Sequence, residues 1–171
     1  THRAVEGIDY GSVDGLSRDL VRNFWLVVEA INPEQTDLDL DEPTYQAWLA
    51  QVSVVVPALN EAGNLPHVLP RIPADVLEII VVDGHSTDGT AEVARAMRPD
   101  VRIVRQRGSG KGDALVSGFA EARGDIIVTL DADGSAEPEE IPRFVDVLLR
   151  GADFAKGSRF LHGGGSADIT R

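Results

Sequence analysis

An alternation of short β-branched runs with helical segments, from Gln51 onward, limits the folds open to this chain more than any other feature. Runs at 52–56, 78–82, 101–105 and 125–130 are typical of strands, with a weaker one at 154–157. Helical segments begin between them, near Glu61, Thr87, Gly112 and Glu137. This order predicts an α/β fold in which helices flank a mainly parallel sheet. Runs as apolar as 79–82 predict strands buried on both faces.

The first fifty residues differ from the rest, with ten acidic residues against three basic ones. A helical stripe of apolar residues follows Ser12 or Asp14 as N-caps, and comprises Leu16, Leu20, Phe24, Val27, Val28 and Ile31. We therefore expect residues 1–50 to form a helical appendage with an acidic linker. Its apolar face would pack on the main domain or on a second subunit, as in a homodimer.

Composition excludes several classes of function. A length of 171 residues predicts one domain, and a net charge of −12 argues against nucleic-acid binding. The absence of cysteine excludes a thiolate metal site and a cysteine nucleophile. No apolar run approaches the roughly 18 to 20 residues of a membrane span. We expect a cytoplasmic chain, either free or peripheral at the membrane face.

The run at 126–130 leads directly into two carboxylates, Asp131 and Asp133. Oxygen ligands of this kind suit Mg²⁺ or Mn²⁺, which are often held by one or two carboxylates together with substrate phosphates. An isolated Asp-x-Asp more often only begins a turn. The polar residues after the neighbouring strands favour the metal site, since ligands bind beyond the carboxyl ends of parallel strands.

Two other strand ends carry polar residues. Asp83 follows the second strand and could accept hydrogen bonds from a base or ribose, or cap the next helix. The residues Ser86, Thr87 and Asp88 fit helix capping better than ligand contact, and His85 is interpreted as incidental. After the first strand, Asn60 and Glu61 approach the same sheet edge, and Glu61 also fits a first-turn helix acid.

A basic, glycine-rich loop at 105–113 precedes the third helix and is a natural phosphate site. It is not a Walker A motif, because Arg105 and Gly112 stand where Gly and Ser or Thr are needed. It also fails the Gly-x-Gly-x-x-Gly pattern, which disfavours an ATPase or a dinucleotide dehydrogenase. Lys111 in this loop is equally compatible with a diphosphate or sugar contact and with a solvated lysine.

Five segments, in this order and spacing, resemble the family 2 glycosyltransferases, and most of all the branch of dolichol- and polyprenol-phosphate mannosyltransferases. They are VSVVVPALNE (52–61), VVDGHSTDGT (81–90), GSGKGDAL (108–115), DADG (131–134) and KGSRF (156–160). The resemblance covers residues 51–171 and implies a GT-A type nucleotide-sugar-binding domain there. It also implies that the chain stops before the segment that usually completes the acceptor side.

The resemblance assigns roles to individual residues. Pro57, Leu59 and Glu61 would line the nucleotide pocket, and Asp83 would contact the base or ribose. Asp131, Ala132 and Asp133 would border the diphosphate and the metal, making Asp131 and Asp133 the catalytic carboxylates. Arg159 would lie near the substrate phosphates. Leu59 stands where the family often has an aromatic residue, and Gly84 with His85 replaces the common Asp-Gly pair.

The implied reaction is transfer of mannose or glucose from GDP-mannose or UDP-glucose by metal-assisted displacement with inversion. The acceptor would be polyprenyl phosphate at the membrane surface, or a soluble sugar or sugar acid. Two alternatives stay open. A sugar-phosphate nucleotidyltransferase is also an α/β nucleotide binder, but its expected Gly- and Arg-rich N-terminal loop is absent. A non-catalytic nucleotide-sugar-binding domain is the other.

Overall fold

The computed structural model describes residues 42–149 and 152–157, with side chains from Gln46 onward. Two 3₁₀ turns, Leu69–Arg71 and Pro138–Glu140, accompany its helices and strands. In chain order these are α1 (Glu42–Leu49), β1 (Val52–Ala58), α2 (Leu65–Val68), β2 (Glu78–Asp83), α3 (Thr90–Met97), β3 (Arg102–Arg105), α4 (Gly110–Glu121), β4 (Ile126–Thr129) and α5 (Ile141–Leu149).

The four strands form one parallel sheet in the order β3-β2-β1-β4. Each strand begins and ends within two residues of the run that predicted it, so the predicted mainly parallel sheet is confirmed. Pro57 is accommodated in the central strand β1 because β4 pairs with β1 only as far as Val55↔Thr129. The missing N–H of Pro57 therefore interrupts no ladder bond to β4.

Side chains alternate between two cores, one on each face of the sheet. Val54 and Ile79 belong to the larger core, which also contains residues of α2, α3 and α5. Val55 and Ile80 belong to the smaller core beneath α4. Gly118 allows α4 to approach closely, since a Cβ there would lie 2.4 Å from a Val55 methyl. Strands β1 and β2 are thus buried on both faces, as their apolar runs predict.

Strand β4 is less buried than β1 and β2, since its residues Ile126, Ile127 and Val128 are only partly buried. Within the part of the chain that the structure describes, β4 pairs with β1 alone and forms an edge of the sheet. The expected strand at 154–157 is wrong, because this stretch has no regular secondary structure. The sequence of a short apolar run alone does not distinguish a strand from a loop, because only pairing with a neighbouring strand makes it part of a sheet.

The helices differ from prediction mainly where they begin. The helix expected near Glu61 is the short α2, and those expected near Thr87 and Glu137 begin at Thr90 and Ile141. The predicted amphipathic helix of the first fifty residues lies outside the described residues. Of the appendage, α1 is described, and its Leu49 is 2% exposed within the larger core.

A buried carboxylate connects several groups at the amino-terminal ends of the strands, which form the amino-terminal edge of the sheet. Glu78, at the start of β2, accepts hydrogen bonds from the Ser53 hydroxyl (2.8 Å), Arg102 Nη1 (2.6 Å) and the Arg123 backbone N–H (2.8 Å). Its side chain is 3% exposed, and the Arg123 guanidinium lies 3.0 Å away. Two cations and two further donors therefore compensate the buried charge.

Candidate functional site

The carboxyl ends of the four strands lie together at the carboxyl-terminal edge of the sheet, opposite the amino-terminal edge that contains Glu78. The predicted site residues follow these strand ends. Leu59 and Glu61 follow β1, Asp83 ends β2, Lys111 lies in the first turn of α4, and Asp131 follows β4. Hydrogen bonds connect these loops to one another. The sequence prediction that these segments share one sheet edge is confirmed, because parallel strands present their carboxyl ends together.

The segment Asp131–Ala132–Asp133 leaves β4 with its middle residue anchored. Ala132 is 3% exposed and packs in the larger core, so its side chain is inside the protein. The Asp131 side chain is 40% exposed, and Asp133 is exposed. A turn follows, with Gly134 in the left-handed region at φ 76° and the Ser135 N–H donating to Asp133 Oδ1 (2.9 Å). Burial of Ala132 therefore fixes the loop that carries the two acids.

Lys111 forms an ion pair with Asp131, with Nζ 2.5 Å from Oδ1. The Lys111 side chain is 59% exposed, and α4 begins one residue earlier at Gly110, whose φ of 83° favours glycine. Asp113, one turn into the helix, turns back to accept the Gly108 N–H (2.8 Å) and so holds the loop. The Lys111 side chain thus extends from the first turn of α4 to the carboxylate of Asp131.

The loops after β1 and β2 are fastened to each other by side chains. The Asn60 N–H donates to Ser86 Oγ (2.9 Å), and the Thr87 N–H donates to Asn60 Oδ1 (2.9 Å). Asn60 has φ 58°, a left-handed conformation that asparagine tolerates better than most residues. The sequence placed Asn60 at this edge but gave no sign of its bridging contacts, which depend on the three-dimensional arrangement of both loops.

Asp88 completes this connection. Its Oδ2 accepts the Ala62 N–H (3.1 Å), and its Oδ1 accepts both the N–H (3.1 Å) and the hydroxyl (2.5 Å) of Thr90. The hydrogen bond from the Thr90 hydroxyl lowers the pKa of Asp88 below its usual value and outweighs the desolvation that raises it. The bonds from Thr90 to Asp88 hold the first residue of α3, although Gly89 is the N-cap and makes no side-chain cap bond. The predicted capping role is wrong for Ser86 and Thr87, because both bond to Asn60 instead.

Asp83 is half-buried, and its Oδ1 accepts the Ser86 N–H (3.0 Å). This bond shapes the loop, while the carboxylate remains at the sheet edge. Glu61 Oε2 accepts an amide N–H of Asn64 (2.7 Å) just before α2. Leu59 is 58% exposed, which is high for a large apolar side chain. Arg159 lies outside the described residues.

Gln106 is a buried residue of this edge that sequence reasoning missed. It is 5% exposed, its N–H donates to the Asp83 carbonyl (2.9 Å), and its side-chain amide donates to the Gly110 carbonyl (2.8 Å). A Cβ on Gly84 would lie 3.1 Å from Gln106 Oε1, so the loop needs a small residue there. Gln106 thus ties the end of β2 to the start of α4.

The ligand chemistry of Asp131 and Asp133 fits a divalent cation such as Mg²⁺ or Mn²⁺. Both residues offer carboxylate oxygens. The Asp131 carboxylate lies 2.5 Å from the Lys111 ammonium, so it is accessible to a positively charged group. Over residues 42–149 and 152–157, no three or more His, Cys, Asp or Glu side chains are gathered around a common metal position. None of the helices in these same ranges has the length and apolar character needed to cross a membrane.

Comparison with known proteins identifies relatives of this arrangement. The family model described as Glycosyl transferase family 2 matches residues 53–171. A dolichol-phosphate mannosyltransferase from Pyrococcus furiosus is 38% identical over 121 residues, which cover 67% of this chain and 34% of that protein. The chain therefore spans about a third of the length of this curated relative.

Solved structures give the same picture. Glucosyl-3-phosphoglycerate synthase from Mycobacterium tuberculosis, in complex with Mn²⁺, UDP-glucose and phosphoglyceric acid, matches with a TM-score of 0.56 and 33% identity, over 64% of this chain and 43% of that one. A mannosyltransferase from Pyrobaculum calidifontis in complex with GDP-Man and Mn²⁺ matches with a TM-score of 0.50 and 31% identity, over 57% and 32%. The GT-A fold that the sequence predicts is confirmed for the described α/β unit.

Proposed function

Because this chain belongs to the family 2 glycosyltransferases, we propose that its carboxyl-edge site binds a nucleoside diphosphate hexose and transfers the hexose to an acceptor. The donor is GDP-mannose or UDP-glucose, the molecules present in two of the similar structures. The observation that carries the proposal is the Lys111–Asp131 pair. It brings a helix N-terminus, a lysine and the carboxylate of an Asp-x-Asp motif to one point, as a diphosphate and its cation require.

Each residue of the site has a defined task in this reaction. Asp131 and Asp133 would hold Mg²⁺ or Mn²⁺, which when bound supplies positive charge to the departing diphosphate. Lys111 and the first N–H groups of α4 bind phosphate oxygens on the side of α4. Asp83 accepts hydrogen bonds from the nucleoside, with Pro57, Leu59 and Glu61 beside it. Arg159 is assigned to the substrate phosphates from its motif alone.

The chemical step is a displacement at the anomeric carbon with inversion. An acceptor oxygen forms the new bond to this carbon as the bond to the diphosphate oxygen breaks, and the electron pair leaves on the nucleoside diphosphate. The name of the Pyrococcus relative favours a polyprenyl-type phosphate as acceptor. Such an oxygen is ionised near neutral pH and needs no general base. Positioning and charge stabilisation are then the protein's main contributions.

This acceptor has consequences for the organisation of the chain. A lipid phosphate would bring the site to the cytoplasmic face of a membrane. We assign nucleotide-sugar binding to residues 51–171, and treat residues 1–50 as an appendage that packs on this domain or on a second subunit.

Calorimetric titration with GDP-mannose, UDP-glucose, GDP and UDP, first with Mn²⁺ and then with excess EDTA, tests the proposal. We expect binding of one nucleotide family that EDTA weakens at least roughly tenfold, since the cation joins the diphosphate to the protein. Asp131→Asn and Asp133→Ala should abolish this metal dependence and most hexose transfer. Asp125→Asn is a matched control, because Asp125 is exposed at the opposite end of β4.

Four results would contradict the proposal. The first is near-normal transfer by folded Asp133→Ala, and the second is equal loss in Asp125→Asn. The third is consumption of nucleoside triphosphate with release of pyrophosphate, which would identify a nucleotidyltransferase instead. Metal-dependent binding without hydrolysis or transfer by the full chain would identify a non-catalytic nucleotide-sugar-binding domain.

A further inference from the structure

His85 adopts a backbone conformation that L-residues with a Cβ rarely use. Its φ is 68°, in the left-handed region, although the chain has Gly84 immediately before it. The backbone on both sides is fixed, since the Gly84 N–H donates to the Ala58 carbonyl (2.8 Å) and the Ser86 N–H donates to Asp83 Oδ1 (3.0 Å). Strain of this kind, imposed by its surroundings, is concentrated at functional sites. It motivates a role for the imidazole.

Arg105 determines which nitrogen of the neutral imidazole carries the proton. Arg105 ends β3, and its Nε–H donates to His85 Nδ1 at 3.1 Å. A nitrogen that accepts a hydrogen bond carries no proton, so the neutral ring has its proton on Nε2. Both side chains are exposed. The pair therefore offers an imidazole N–H donor together with a guanidinium at the tips of β2 and β3.

The sheet order places this pair at the nucleoside end of the proposed donor site. Asp131 follows β4, and β2 is two strands away, at a separation of about 10 Å along the sheet edge. With the diphosphate at Asp131 and Lys111, the edge continues past Asn60 and Glu61 after β1 to Asp83, His85 and Arg105 at the tips of β2 and β3. In the described ranges no strand lies beyond β4 in the other direction. The nucleoside thus has polar partners on the side of β2 and β3.

Asp83 and Arg105 are neighbours in the register of β2 and β3, and Arg105 bonds His85, so the three residues bring donors and an acceptor to one place. The Asp83 carboxylate accepts hydrogen bonds, whereas His85 Nε2–H and Arg105 donate them. Guanine and uracil carry a carbonyl oxygen next to a ring N–H, so they match an acceptor beside donors. Adenine and cytosine carry an amino group at the position of that carbonyl. This amino group is a donor, and it would face the donor His85 Nε2–H with no acceptor between them. Once the base covers His85, two donors facing each other would both stay unpaired, and unpaired donors discriminate between ligands.

We propose that His85, held by Arg105, is the base-selecting residue of the donor site, and that with Asp83 it selects a keto nucleobase, guanine or uracil. The inference rests on the proposed function, because it assumes that the edge holds a nucleoside diphosphate. It adds the choice of base and a role for a residue that the sequence motif left without one.

Titration of the full chain with GDP, UDP, ADP and CDP in the presence of Mn²⁺ tests the proposal. We expect the wild-type protein to bind GDP or UDP at least roughly tenfold more tightly than ADP and CDP. His85→Gly should remove most of this difference, whereas His85→Asn should keep part of it, because asparagine tolerates the left-handed region and offers an N–H donor. The KM for the donor should rise in His85→Gly with kcat little changed.

Two further measurements separate selection from structural damage. The melting temperature of His85→Gly should equal or exceed that of the wild type, since glycine relieves the strained φ. Nitrogen NMR of the labelled imidazole in mildly alkaline buffer should show an unprotonated Nδ1 in the wild type. Arg105→Leu should lose this fixed tautomer together with base selectivity.

The outcomes separate this inference from the proposed function. Mn²⁺-dependent binding that is equal for the four nucleotides, or selectivity that survives in His85→Gly, would overturn the role of His85 and leave the donor site standing. No nucleotide binding by the wild-type protein would overturn both. A preference for GDP over UDP, or the reverse, identifies which keto base the site accepts.

Discussion

The two edges of the sheet use the same kinds of side chain in opposite ways. At the amino-terminal edge, the Glu78 side chain is 3% exposed and lies against two arginines. At the carboxyl-terminal edge, the Asp131 side chain is 40% exposed and pairs with Lys111, which is 59% exposed. A carboxylate meets positive charge at both edges, but only the first is enclosed by the protein.

The difference shows that burial of a charged pair favours a role in stability, whereas exposure of the pair favours a role in ligand binding. Glu78 is satisfied by Ser53, Arg102 and Arg123, so an added ligand would have to displace protein groups from a buried position. The Lys111–Asp131 pair is exposed, and pairs of this kind contribute at most about 1 kcal/mol to stability. A cation or a phosphate can therefore exchange with either partner at low cost. The exposed edge is suited to binding and the buried edge to holding the sheet together.

The pKa of Glu78 expresses this arrangement. Burial alone would raise the pKa of this carboxyl group, but hydrogen bonds from Arg102, Ser53 and Arg123 lower it to about 2, from 4.5. The charged form is thus strongly preferred in the folded protein.

The largest expected effect is that of Glu78→Gln on stability. The substitution removes the charge from a side chain that is 3% exposed and weakens its bonds to Arg102 and Arg123. Loss of such charge-assisted bonds costs about 3 kcal/mol in the free energy of unfolding. Urea unfolding followed by circular dichroism measures this loss. Nucleotide affinity of the variant, measured where it is still folded, should match that of the wild type.

Glu121→Gln is the matched control for this prediction. Glu121 binds the same Arg102 at 3.0 Å, but its side chain is 43% exposed. Its loss should cost below about 1 kcal/mol. Equal costs for the two variants would show that burial is not what distinguishes the amino-terminal edge.

The next effect concerns acid unfolding. Because the folded-state pKa of Glu78 lies below its unfolded value, the carboxylate stabilises the fold above pH 4.5, and this contribution disappears as the pH falls toward about 2. The difference between the two pKa values corresponds to about 3 kcal/mol. The free energy of unfolding should therefore fall more steeply across this range in the wild type than in Glu78→Gln. Parallel curves for the two proteins would refute the assignment.

The sequence predicted most of the architecture because the sheet depends on local patterns. Apolar β-branched runs such as 52–56 and 79–82 marked the strands, and the order of strands and helices implied parallel pairing. The failure at 154–157 has a local cause as well, since a run of four residues carries too little periodicity to identify a strand. Segments with a strong pattern were predictable, and short ones were not.

The site was predictable only as a set of strand ends. Asp83 and Asp131 were found because polar residues that follow apolar strands of a parallel sheet are exposed to ligands. Their contacts were not predictable, because they depend on loop conformation. The bond from Lys111 to Asp131 and that from Arg105 to His85 each join residues twenty positions apart. The role of Glu78 was hidden for the same reason, since Ser53 is brought to it by strand register.

Lys111→Met tests whether the exposed pair at the carboxyl-terminal edge serves ligand binding rather than stability. The substitution removes a positive charge that the proposed function assigns to the diphosphate, so we expect nucleotide affinity to fall by roughly tenfold, or about 1.4 kcal/mol. The free energy of unfolding should change by less than about 0.5 kcal/mol, because the side chain is exposed. Titration and urea unfolding of the same preparation measure the two quantities. A loss of stability without a loss of affinity would contradict the assignment of Lys111.

The smallest expected effect is that of Asp131→Asn on stability, and it is the direct counterpart of Glu78→Gln. Both substitutions replace a carboxylate by an amide in contact with a cationic side chain. In Asp131→Asn the Lys111 ammonium stays hydrated, so the free energy of unfolding should change by less than about 0.5 kcal/mol. The anchor of the loop is the buried methyl group of Ala132, which the substitution leaves in place. A cost of about 2 kcal/mol or more in urea unfolding would mean that this pair is structural, and the two edges would then not differ in kind.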